Sequence, residues 1–194
     1  HVFPQGKSKR YKRAYAIGYW GAFLRIIRTR WADLRAKTGS LTKEEASALC
    51  VVKWLLRKEL SLLACSNRRL LAEQVFFISP ENKALIFPSK DKAYAFYDPE
   101  SDIVVVQRAR QDYFTWTDFK VLLHECVHAT SRTSIPRVVK EGSFSIRSGH
   151  SSKAKKDIIE SGHGLNEAVT EKIAREIIKD NKEDILAKLP FLNE

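Results

Sequence analysis

The chain of 194 residues has no methionine, three cysteines, eight glycines and six prolines. So little Gly and Pro excludes collagen-like and low-complexity architectures. A chain that is 44% apolar and 29% charged is not a fully disordered one either. No apolar run approaches the roughly 20 residues that a membrane-spanning helix needs, and no internal repeat is visible. Cys50, Cys65 and Cys126 are too few and too scattered for a disulfide framework. They predict reduced thiols in a reducing compartment, which favours the cytoplasm. With His1 in first position and no methionine anywhere, we expect a piece of a longer chain, with any targeting signal upstream of it.

Acidic residues are scarce at one end. Between His1 and Thr38, ten Lys and Arg face Asp33 alone, so +9 of the net +11 sits there. Such a basic segment suits an anionic partner, either a nucleic acid or an acidic membrane surface. The same segment carries Ile17, Trp20, Leu24, Ile27, Trp31 and Leu34 in steps of 3 and 4, the stripe of an amphipathic helix. Core packing is therefore the better use of its tryptophans. Gly39 ends this helix, and Ser40 or Thr42 caps a second, with Glu44 and Glu45 in its first turn. Leu49, Val52, Leu55, Leu56 and Leu60 form the second stripe, and the two helices predict an antiparallel hairpin.

Beyond residue 70 the pattern changes. Segments 75–79, 84–87, 93–97 and 103–107 are short and rich in β-branched and aromatic residues, which predicts a small antiparallel sheet. Thr115 or Thr117 opens a third helix, running to about Ser131. Residues 136–162 are polar and read as a long connection with room for a hairpin. A strong helix spans about Gly164 to Asp180, and a short one precedes Pro190. The fold class is α+β. A basic helical segment, 1–70, is expected to pack on a second part, 71–194, or to be continuous with it.

The third helix holds His124-Glu125-Cys126-Val127-His128. Histidines at i and i+4 share a helical face, so both imidazoles can reach one Zn²⁺. Glu125 projects toward the open side of such an ion, where a carboxylate can take a proton from water. Cys126 falls off the ligand face and reads as core, as does Cys50. A catalytic zinc needs a third protein ligand. Glu167 and Glu171 are also i and i+4, at the start of the last strong helix. Two stacked carboxylates repel unless each has a partner. A metal on Glu167 and a zinc-bound histidine on Glu171 would supply both. A solvated acidic face, helped by Lys172 and Arg175, is the plainer alternative. His150 and His163 are rival third ligands.

Together, His124-Glu125-x-x-His128 and Asn166-Glu167-x-x-Thr170-Glu171 resemble the gluzincin (thermolysin-like) class of zinc metallopeptidases, over about residues 115–180. The resemblance implies a zincin-like pair of active-site helices and zinc-dependent peptide-bond hydrolysis. It makes His124, His128 and Glu167 zinc ligands, Glu125 the general base, and Glu171 the carboxylate that orients a ligand histidine. His163 is the candidate transition-state donor, with Tyr113, Arg147 and His150 weaker ones. It also implies that an extended peptide substrate pairs with the strand before the active helix, 103–107, as a sheet edge. The 39 positions between His128 and Glu167 exceed the spacing in thermolysin, which bears on the subfamily rather than the class. The metzincin pattern fails, because Ser131 and Ser134 stand where it requires Gly and His. A regulatory gluzincin-like binding domain is the alternative within the class, although an intact Glu125 speaks against it.

Overall fold

The computed structural model describes residues 29, 31–32, 34–59, 72–90, 92–99, 101–108, 113–130 and 164–192, together with the backbone of 60–62, 133–140, 143–148, 151–154, 160–161, 163 and 193. Most of the expected first helix, including Trp20, lies outside these residues, as do Cys65 and His150. Its end, 34–38, is helical, and Gly39 follows at φ 69°, the left-handed conformation that suits glycine after a helix.

Helix α1, Lys43–Leu62, starts on a capping box. Thr42 N–H donates to Glu45 Oε2 at 2.9 Å, and Glu45 N–H donates to Thr42 Oγ1 at 3.2 Å. Ala48, Leu49, Val52, Leu55 and Leu56 are buried. Cys50 was expected in the core but is exposed. It keeps step with Lys43, Ser47 and Arg57 on the solvent side of the helix.

A three-stranded sheet follows, formed by β1 (Val75–Ile78), β2 (Ala95–Asp98) and β3 (Ile103–Gln107) in the order β1-β3-β2. It is mixed rather than purely antiparallel: β1 runs parallel to β3, and β2 antiparallel to it. The strand expected at 84–87 does not form, because those residues end or follow helix α2, Pro80–Ile86. Ser79 caps that helix by accepting from Asn82 N–H, and Pro80 presets its first turn. A Ser-Pro pair read as a turn is thus a helix start, and the helix leads from the end of β1 toward β2, which runs back so that β3 can lie parallel to β1.

Both sheet faces are covered. Val75, Phe77, Val104 and Val106 join the core of α1 and the later helices. Phe76, Ile78, Phe96, Ile103 and Val105 face Trp31, Leu34, Ile86, Phe87 and Ala93. Trp31 Nε1–H also donates to Ser101 O at 3.0 Å, so this tryptophan serves packing.

Helix α3, Trp116–Thr130, begins on a second capping box. Thr115 N–H donates to Asp118 Oδ2 at 2.7 Å, and Asp118 N–H donates to Thr115 Oγ1 at 3.2 Å. Tyr94 Oη–H donates to the other Asp118 oxygen. Phe119, Leu122, Leu123, Cys126 and Val127 bury the helix against the sheet and α1.

The segment 136–162, expected as a long connection with room for a hairpin, is more regular than that in its described residues. A second sheet is formed by β4 (Thr133–Lys140), β5 (Ser143–Ser148), β6 (Ser151–Ala154) and β7 (Glu160–Ser161), each antiparallel to the next. Helices α4 (His163–Asp180) and α5 (Lys182–Lys188) close the chain. Ala174, Ile177, Ile185 and Leu189 join the same core as α1 and α3. No helix among the described residues is long and apolar enough to cross a membrane.

Candidate metal centre

Burying the apolar face of α3 on the sheet turns His124 and His128 toward α4. There the first turns of α4 present Asn166, Glu167, Thr170 and Glu171, two i, i+4 pairs on adjoining rows. The Nε2 atoms of His124 and His128 are 3.1 Å apart, and Glu167 Oε2 is 3.3 Å from each. Three ligands bonded at 2.0–2.1 Å to one tetrahedral ion would stand about 3.3 Å from one another. The donor triangle therefore has the dimensions of a zinc coordination face. Its chemistry fits as well: two imidazole nitrogens and one carboxylate oxygen are a recurrent catalytic zinc set.

The ring nitrogens pointing away from the triangle are also engaged. His124 Nδ1 lies 3.0 Å from Glu171 Oε2. His128 Nδ1 lies 3.2 Å from Thr170 Oγ1, which can accept its proton, and 3.1 Å from Asn166 Nδ2, an amide donor. An acceptor at Nδ1 keeps the proton there and leaves the Nε2 lone pair facing the triangle. Asn166 and Thr170, both buried, each stand one residue before a glutamate of the motif. Sequence reasoning gave them no role, although their own i, i+4 spacing carries the same signal.

Glu125 lies half-buried beside the triangle. Burial pushes its carboxyl up to about 7. His124, a hydrogen bond donated by Tyr97 N–H, and the charge of Lys90 oppose that rise, while Glu167 adds to it. A divalent cation alongside would hold it lower. Glu171 is held below the usual carboxylate range, first by Arg175, whose Nε–H donates to Oε1 at 2.5 Å, and then by His124. Burial pushes the Cys126 thiol up, and Cys126 packs in the core as expected.

Tyr97 belongs to β2, and here one expectation is corrected. The strand 103–107, β3, is the centre of its sheet, with β1 on one side and β2 on the other. The edge beside Glu125 is β2. Gln107 N–H donates to Tyr94 O at 2.9 Å. Alternation along the pair then directs Phe96 and Asp98 backbone groups at β3, and those of Ala95 and Tyr97 outward. No strand among the described residues pairs with that edge.

His163 is the first residue of α4, and Arg147 contributes backbone to β5; the side chains of both, like all of His150, lie outside the described residues. Tyr113 is 60% exposed, just ahead of α3. No family model, curated protein or solved structure matches the chain, so its likeness to known proteins rests on the centre itself: a His124/His128 pair spaced as in His-Glu-x-x-His, joined by Glu167 from a distant helix, matches a gluzincin-type zinc-binding architecture.

Proposed function

We propose that this protein is a zinc-dependent peptidase that cleaves peptide bonds with Glu125 as general base. The observation that carries the reading is the donor triangle of His124, His128 and Glu167, with a half-buried carboxylate beside it. Bound zinc would supply Lewis acidity, polarising a carbonyl and acidifying water. His124 Nε2, His128 Nε2 and the Glu167 carboxylate would hold the ion. Glu171 keeps the His124 proton on Nδ1, and Thr170 Oγ1 can accept from His128 Nδ1–H in the same way. Glu125 takes a proton from the attacking water and delivers it to the leaving amine. Tyr97 N–H donates to Glu125 and holds it beside β2, an outer strand of the first sheet among the described residues, along which an extended peptide can add as a further strand. His163, at the start of α4, is the first candidate for a donor to the developing oxyanion.

Glu125→Gln tests the assignment. The amide is nearly isosteric with the carboxylate but cannot act as the base. The variant is expected to keep zinc and fold and to lose turnover of a mixed peptide library by about 10²–10⁴-fold, read by mass spectrometry. Turnover within about tenfold of wild type would remove Glu125 from this role.

A further inference from the structure

Helix α4 carries two glutamates that approach the same histidine from one helical face. Glu167 Oε2 lies 3.3 Å from His124 Nε2, and Glu171 Oε2, one turn later, lies 3.0 Å from His124 Nδ1. A zinc ion on the donor triangle needs the first as its ligand and the second as a partner of the ring. The following turn of the helix separates the two roles. Arg175, at i+4 from Glu171, donates from Nε–H to Glu171 Oε1 at 2.5 Å. Lys172, next to Glu171 in the chain, reaches Glu176 instead, at 3.9 Å.

The Glu171 side chain is 44% exposed, so packing does not fix its head group. A single contact with His124 lets the carboxylate turn about that contact. A second contact, on the other oxygen, sets its plane. Without the second, the carboxylate has two other resting places: solvent, and the cation that Glu167 would hold one turn earlier. Arg175 is 78% exposed, and an exposed ion pair of this kind adds little to folding. Its use lies in what it holds. By charge alone, a guanidinium near a dication weakens the binding of that dication. By orientation, it strengthens it. The two effects have opposite signs, and a measured affinity tells them apart.

Resting on the zinc-peptidase reading above, we infer that Arg175 is a positioning residue: by taking Glu171 Oε1 it dedicates Oε2 to His124 Nδ1 and keeps Glu171 off the metal, leaving Glu167 to complete the donor triangle. An exposed side chain with no contact to the ligands thereby decides which of two neighbouring glutamates binds the ion.

The test measures zinc affinity by chelator competition on wild type, Arg175→Met, Arg175→Lys, Glu171→Ala and the Glu171→Ala/Arg175→Met double variant, beside urea unfolding of the zinc-free proteins. Arg175→Met is expected to weaken zinc about three- to fivefold, less than the roughly 10–100-fold that follows loss of a direct partner of a ligand. Its unfolding midpoint should match that of the wild type. Arg175→Lys restores a cation at i+4 and should recover part of the loss. In the Glu171→Ala background, Arg175→Met should weaken zinc no further, because no carboxylate is left to hold. Zinc bound by Arg175→Met as tightly as by wild type, or more tightly, overturns the inference alone. So does an equal loss in both backgrounds, since Arg175 would then act without Glu171. A wild-type protein that binds no zinc defeats the peptidase reading with it.

Discussion

Glu171 divides its two oxygens between neighbours: one faces His124 Nδ1 at 3.0 Å, and the other accepts from Arg175 at 2.5 Å. Arg175 is largely exposed, so the pair adds little to folding stability. Its effect is on geometry and charge, since it keeps Glu171 ionised and aimed. Glu171→Ala is expected to weaken zinc binding by about 10–100-fold without abolishing it, as measured by chelator competition. An unchanged affinity would show that His124 needs no such partner. If His163 or His150 supplied the third ligand instead, substituting that histidine would strip the metal, and Glu167→Ala would not. At this scale the sequence was informative where spacing alone fixes a face: His124, His128, Glu167 and Glu171 each stand one helical turn from a partner. Tyr97 and Lys90 were not legible, because they reach Glu125 only through the tertiary approach of β2 and its loop.

The start of α3 governs where the two histidines point. Asp118, 4% exposed, closes the capping box with Thr115 and accepts from Tyr94 Oη–H, tying the helix to the chain just before β2. Asp118→Ala removes the cap and leaves the Tyr94 hydroxyl without its acceptor. A loss of about 1–3 kcal/mol in urea unfolding is expected; a change within about 0.5 kcal/mol, the range of an ordinary surface substitution, would contradict this role. The long helices and their caps were legible because apolar period and cap chemistry agree. The 84–87 segment was not: four apolar residues in a row resemble a strand, and only the Ser79 cap and Pro80 reveal the helix. The strands in 133–161 were hidden by composition. Ser143–Ser148 and Ser151–Ala154 contain five serines, and their only large apolar residues are Phe144 and Ile146, too short an alternation to mark a strand.

In the whole molecule, one core joins α1, one face of the first sheet, α3, α4 and α5. The helix pair bearing the candidate ligands is thus braced by this core, as a site that must hold its donors within about 0.5 Å of their working positions requires. Sheet order was the least legible feature at this scale. Nothing local distinguishes a central β3 from an edge β3, since the order depends on β1 pairing in parallel along the side of β3 opposite β2. The strong positive charge lies chiefly in residues 1–38, whereas the centre itself gathers Glu125, Glu167 and Glu171. Three carboxylates around two histidines call for a cation, and the central claim is that the cation is zinc. Elemental analysis of zinc-loaded, buffer-exchanged protein beside Glu167→Ala tests it most directly. The account predicts one zinc per chain in the wild type and loss of tightly held zinc in the variant, with circular dichroism unchanged between them. A wild-type protein that retains no zinc, or a Glu167→Ala protein that retains as much, would contradict it.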